Sequence, residues 1–182
     1  MLLYLHGFNS SPASHKARLL RERLGDAHFA APALPPSPAG AAVLLDELIA
    51  AHPDACVVGS SLGGFYATWL AERHALRAVL LNPAVRPYEL LAGYVGPQKN
   101  LYTGIEYDFT ERHLGEMRAL EVGHITGERY LVILQTGDEV LDYRQALGKY
   151  RGARLVVGEG GDHGLSDFAA YVERVIDFCG CG

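Results

Sequence analysis

Apolar residues in this chain come in short unbroken runs, separated by stretches in which they recur at helical spacing. The runs are LLYL (Leu2 to Leu5), HFAAP around Phe29, ACVVG (Ala55 to Gly59), AVLLN (Ala78 to Asn82), YLVILQ (Tyr130 to Gln135) and RLVVG (Arg154 to Gly158). Strands buried on both faces look like this, because helices cover each side of a parallel sheet. Helical spacing occupies Ser14 to Leu24, Ala39 to Ala51, Leu62 to His74, Tyr143 to Tyr150 and Phe168 to Phe178. The alternation predicts an α/β fold, a doubly wound sheet of about six mostly parallel strands with helices on both faces. Ligands of such sheets lie outside the carboxyl ends of the strands, so a chemical motif should fall just after a run. From Pro83 to Glu128 the rhythm breaks: no clear strand is visible, Gly and Pro interrupt AGYVGPQKN, and only Thr110 to Val122 is helical in pattern. A stretch of that length in a compact domain reads as a cap, lid or binding loop. The passage PALPPSP (Pro32 to Pro38) reads as a stiff loop between the second strand and the next helix.

Composition narrows the class. A chain of 182 residues, 49% hydrophobic and 20% charged, predicts one globular domain over 1–182. The net charge of -5 argues against nucleic acid as a partner, and the basic cluster HKARLLRER reads as one face of an amphipathic helix. No apolar run reaches the roughly 20 residues of a membrane span. The opening MLLYLHGF has neither a basic segment nor a small-residue cleavage site, and the expectation is a soluble, cytoplasmic protein. Three cysteines, with CGC at Cys179 and Cys181, predict reduced thiols and no metal site.

The stretch VVGSSLGG (Val57 to Gly64) raises the question of a nucleophile. A nucleophile elbow is a sharp strand-to-helix turn with small residues two before and two after the serine. Ser61 has Gly59 and Gly63 at those offsets, whereas Ser60 has Val58 and Leu62. With 21 glycines in the chain, chance would supply about 0.1 such serines, so the pattern needs partners to carry weight. A serine hydroxyl needs a histidine to take its proton, and that histidine needs a carboxylate. After YLVILQ comes TGDEVLD, with Asp138 just beyond the run; after RLVVG comes EGGDHGLSDF, with His163 in a glycine-lined loop. Glu139, Asp142 and Asp162 are alternative acids, with Asp142 second to Asp138 and Asp162 better suited to capping a turn. The oxyanion of acyl transfer needs backbone N–H donors. Leu62, following the serine, supplies one, and the loop HGFNSSP after the first strand supplies the other from Phe8, with Asn9 as the alternative. His6 is a further candidate base, although a histidine beside this glycine is better suited to bracing the loop.

The blocks LYLHGFNSSP, GSSLGGFYATWLAE, LLNPAVRPYELL, LQTGDEVLDYR and GGDHGLSDF together resemble the α/β-hydrolase superfamily, most closely its small bacterial YqiA-type esterases. The resemblance spans nearly the whole chain and implies a compact α/β-hydrolase fold, trimmed of the N-terminal antiparallel strands of larger relatives, with 83–128 as a lid-like insertion. It implies an esterase or thioesterase acting through an acyl-enzyme, with Ser61 as nucleophile, Asp138 as acid and His163 as base, and no cofactor. The expected partner is a small-molecule acyl ester or thioester. Tyr88, Tyr94, Tyr102 and Tyr107, with Phe109, either line a substrate pocket or pack the insertion onto the core.

Overall fold

The structure is a computed structural model that describes residues 1–100 and 102–181. Six strands, β1 (Leu2–Leu5), β2 (Phe29–Ala30), β3 (Cys56–Ser60), β4 (Ala78–Leu81), β7 (Tyr130–Gln135) and β8 (Arg154–Gly158), form one sheet in the order β2-β1-β3-β4-β7-β8, every pairing parallel. They coincide with the six apolar runs. All residues of β1, β3, β4 and β7 are buried. Successive side chains serve opposite faces, as the pleat requires. Leu3, Leu5, Val57, Leu80 and Val132 join a core with α2 (Pro38–Ala51), α3 (Leu62–His74), α5 (Glu111–Ala119) and α6 (Tyr143–Lys149). Leu2, Tyr4, Val58, Leu81 and Ile133 join a second core with α1 (His15–Leu24) and α7 (Val172–Cys179).

The local signals act as their chemistry dictates. Pro38 opens α2 after Ser37, whose hydroxyl accepts from the Gly40 N–H. In α1 the basic cluster faces outward while Ala17 and Leu20 are buried. Phe168 to Tyr171 form a short 3-10 turn, and α7 begins only at Val172, so the last helix starts later than its apolar spacing suggests. Among the described residues no helix is long and apolar enough to cross a membrane.

The segment from Pro83 to Glu128 differs from the sequence expectation in one respect. Besides α4 (Pro87–Leu90) and α5 it contains two strands, β5 (Gly96–Lys99) and β6 (Glu106–Phe109), paired antiparallel from Gly96 opposite Phe109 to Lys99 opposite Glu106. Their residues GPQK and EYDF alternate in burial without forming an apolar run, because one face is solvated and the ribbon adds nothing to the main sheet. The hairpin is held on the loop after β1 by polar contacts. Asn9 Nδ2 donates to Gln98 Oε1 at 3.2 Å, Tyr107 Oη donates to Asn9 Oδ1 at 2.7 Å, and Asn100 Nδ2 donates to the Ser10 carbonyl at 2.8 Å.

The chain passes from β1 to β2 on one side and then to β3 on the other side of β1. This reversal opens a crevice at the carboxyl ends of β1 and β3, where connections leave in opposite directions. His6 to Asn9 and Ser60 to Leu62 occupy it.

Candidate active site

Ser61 stands between the last residue of β3 and the first of α3, with φ 56° and ψ -120°. Positive φ costs a non-glycine residue free energy, so the surroundings must hold it. They do: Ser61 N–H donates to the Leu81 carbonyl at 3.0 Å, and its own carbonyl accepts from Gly64 N–H at 2.9 Å and Ala84 N–H at 3.0 Å. The glycines let backbone meet backbone. A Cβ on Gly59 would lie 2.2 Å from the Gly63 carbonyl oxygen, and one on Gly63 would lie 2.0 Å from that of Leu5. Ser60, by contrast, is a buried strand residue.

A serine at the start of a helix ordinarily accepts a hydrogen bond from the first turn. Ser61 makes no such cap. Its Oγ instead lies 3.0 Å from His163 Nε2, and His163 Nδ1 lies 2.8 Å from Asp138 Oδ2 and 3.0 Å from Oδ1. Asp138 follows β7 and its side chain is 1% exposed; that of His163 is 19% exposed. Burial would raise the Asp138 carboxyl, but donation from His163, Leu141 N–H and Val140 N–H outweighs it and holds the group below the usual carboxylate range. With carboxylate beside Nδ1, the imidazole carries its proton there and leaves Nε2 free to accept from Ser61.

The other carboxylates singled out in the sequence have different partners. Asp142 caps α6 by accepting from Arg144 N–H. Asp162 closes its own turn by accepting from Ser166 N–H and Oγ–H. Glu139 Oε2 accepts from the His163 backbone N–H at 3.0 Å, fixing the loop that carries the ring. His6 is 6% exposed, donates from Nδ1 to the Gly7 carbonyl at 2.9 Å and accepts at Nε2 from Leu34 N–H at 3.1 Å. It ties the β1 loop to the proline-rich loop, and burial lowers its pKa, so both nitrogens are committed in the neutral ring.

Phe8 and Leu62 lie on the two sides of the crevice. Among the described residues neither backbone N–H has an acceptor. Asn9 has φ 50°, and Gly7 approaches the serine so closely that a Cβ there would be 3.2 Å from Ser61 Cβ. Phe8 and Leu62 also line a cavity of about 150 Å³, walled by the proline-rich loop, Tyr66, Met117 and the hairpin residues Ile105 and Tyr107.

Comparison with known proteins agrees with this architecture. Residues 1–180 match the Uncharacterised protein family (UPF0227). The chain belongs to the UPF0227 family. UPF0227 proteins of Yersinia enterocolitica and Serratia proteamaculans are similar to it, 27% identical over 187 residues and 28% over 193, with 98% of both partners covered in each comparison. Est1E from Butyrivibrio proteoclasticus with ferulic acid bound superposes with TM-score 0.67 at 14% identity, over 97% of this chain and 86% of the other. The esterase domain of a Rhodothermus marinus protein gives 0.68 at 18%, over 96% and 83%. At such identities the likeness establishes the fold alone: this member of the UPF0227 family has the α/β-hydrolase fold.

The four tyrosines singled out from the sequence part company in the structure. Tyr107 lines the cavity. Tyr88 does not; it is buried between α4 and α5, donating to Glu121 at 2.8 Å with the Arg118 guanidinium over its ring. Tyr94 is half exposed and meets the edge of Phe8, Tyr102 is exposed, and Phe109 packs against Phe8 within the core.

Sequence reasoning missed Asn82 and Gln135. Asn82, just past β4, has φ 41° and is buried. Its Nδ2 donates to the Asp162 and His163 carbonyls at 3.1 and 3.2 Å, and its Oδ1 accepts from Gln135 N–H at 2.9 Å. Gln135 Nε2 donates to Asp167 and to Tyr171 Oη, bracing the end of the same loop. A polar residue closing each of two apolar runs, AVLLN and YLVILQ, was the available signal.

Proposed function

We propose that this protein is a serine hydrolase that cleaves carboxylic esters, or acyl thioesters, through an acyl-enzyme on Ser61. The observation that carries this reading is the unbroken hydrogen-bonded chain from Ser61 Oγ through His163 to Asp138, on a serine whose strained backbone releases its hydroxyl from helix capping. Ser61 Oγ attacks the acyl carbonyl while His163 Nε2 takes its proton, and the Asp138 carboxylate stabilises the imidazolium without accepting the proton. Phe8 and Leu62 N–H groups receive the oxyanion, in a crevice where the start of α3 adds the favourable end of its dipole. On collapse of the tetrahedral intermediate the alcohol or thiol leaves with the His163 proton. Water, deprotonated by the same nitrogen, then attacks the acyl-serine; the carboxylic acid departs and Ser61 recovers its proton. In this reading the chain is one domain over 1–182, and 83–128 is its cap, the β5–β6 hairpin covering the loop that presents Phe8. Solved relatives of this fold include an esterase domain and Est1E with ferulic acid, which supports an ester among the bonds such a site can cleave.

Fluorophosphonate labelling with peptide mapping tests the proposal. The wild type and Ser60→Ala should be labelled on Ser61 and should hydrolyse short activated esters, whereas Ser61→Ala should do neither. Label persisting on Ser61→Ala, or a wild type inert to both reagents, refutes it. A parallel panel of thioesters and amides separates ester cleavage from other acyl transfers.

A further inference from the structure

Five tyrosines are buried, Tyr4, Tyr66, Tyr88, Tyr130 and Tyr150, and all of them but Tyr66 have hydroxyl partners, as does the partly buried Tyr107. Tyr4 is paired with Ser14, Tyr88 with Glu121, Tyr107 with Asn9, Tyr130 with Glu72 and Tyr150 with Thr68. Tyr66 differs. It is 3% exposed, and among the described residues its hydroxyl makes no hydrogen bond. No buried side-chain oxygen or nitrogen sealed from solvent lacks a partner among the described residues, so this hydroxyl is not enclosed in packed core. Tyr66 lines the cavity beside Leu62 and Phe8.

Two features of the cavity define what it accepts. First, none of its described lining residues belongs to the loops that carry Asp138 and His163. A leaving group must receive its proton from His163 and so departs on that side; the cavity, on the side of the oxyanion donors, takes the acyl group. Second, its lining is largely apolar and includes, among the described residues, no Lys, Arg, Asp or Glu, so an ionised group would enter without a counter-charge. A buried donor left unpaired is costly, and a site containing one discriminates in favour of ligands that pair it.

We infer that the cavity is an acyl site and that the Tyr66 hydroxyl is its specificity group, donating to one neutral oxygen, such as an ether or keto oxygen, on an otherwise apolar acyl chain. This rests on the reading of Ser61 as nucleophile. The test compares p-nitrophenyl hexanoate with its three isosteric ethers, in which oxygen replaces the methylene at position 3, 4 or 5. Each kcat/KM is divided by the ester's hydroxide-catalysed rate, and wild type is set beside Tyr66→Phe. At one ether position the wild type should exceed hexanoate by about fivefold or more, the scale of one neutral hydrogen bond, and in Tyr66→Phe that ratio should fall to about one. The melting temperature of Tyr66→Phe should not drop, because no intramolecular hydrogen bond is lost. A wild type that favours hexanoate over all three ethers, or a preference that survives in Tyr66→Phe, overturns the assignment while leaving the nucleophile in place. If no ester is cleaved and fluorophosphonate leaves Ser61 unlabelled, the hydrolase reading falls and takes this inference with it.

Discussion

Replacing Asn82 by glycine keeps a backbone that tolerates φ 41° and removes the contacts to Gln135 N–H and to the Asp162 and His163 carbonyls. Three buried neutral hydrogen bonds at about 0.5–1.5 kcal/mol each suggest a loss of about 2–4 kcal/mol. For a chain of this length that is a fall in melting temperature of roughly 5–15 °C. Asn82→Ala should cost about 1–2 kcal/mol more, because alanine adds the left-handed backbone penalty that glycine avoids. Both variants also release the carbonyl of His163 itself, so the ring should sample positions away from Ser61. An error of about 1 Å in such a group is worth up to 10²-fold, and fluorophosphonate labelling of Ser61 should slow by about tenfold or more at a temperature where the variants remain folded. Thermal or urea melts and the labelling rate give the two numbers separately. Unaltered stability in Asn82→Gly refutes the hydrogen-bond accounting, and a destabilised variant that labels at the wild-type rate refutes the view that Asn82 positions His163.

Other outcomes follow from the same contacts. Asp138→Asn would keep an amide oxygen for the Val140 and Leu141 N–H donors and turn its amide toward His163, favouring the tautomer that cannot accept from Ser61; turnover should fall by about 10⁴ with the fold retained. Asp142→Ala, which removes a helix cap and an exposed ion pair with Arg144, should cost about 1 kcal/mol in a urea melt and leave labelling of Ser61 intact; the reverse pattern between these two variants would reassign the acid. Gly63→Ala would set a Cβ 2.0 Å from the Leu5 carbonyl oxygen, an overlap no side-chain motion relieves, and should give misfolded protein or lose more than about 3 kcal/mol. Acidification should destabilise in two stages. The unfolded chain protonates His6 near its ordinary value of 6.5 while the folded chain resists, so stability falls from that pH downward; Asp138, held low when folded, adds stability above its unfolded value of 3.8 that is lost as pH drops through the folded one. A urea midpoint that is flat between pH 7 and 5, or that keeps its slope there in His6→Gln, contradicts the first stage.

The parts of the site that were legible in the sequence are those tied to a strand end. Ser61, Asp138 and His163 each lie in the loop or turn after an apolar run, and the parallel register places the ends of β1, β3, β4, β7 and β8 along one edge of the sheet. The β5–β6 hairpin was not legible, because a two-stranded ribbon with one wet face, carrying Pro97 and Lys99, has no run of apolar residues to announce it. Tyr88 and Tyr107 look alike in the sequence, and their separation into a core residue and a cavity wall depends on which helix or loop lies opposite each.

By itself the sequence determined the α/β layering, the tight glycine-flanked turn at Ser61 and the placing of Ser61, Asp138 and His163 after successive strands, since these depend on residue type, local periodicity and glycine's small size. Tertiary structure decided what depends on distance between segments remote along the chain. It set Asp138 against His163 and Asp142 at a helix start. It made a clamp of Asn82 by bringing three backbone groups from two other loops within reach. It also put Tyr66 on a cavity wall with no hydroxyl partner among the described residues while the other buried tyrosines found partners, a distinction that resides in the packing around each ring.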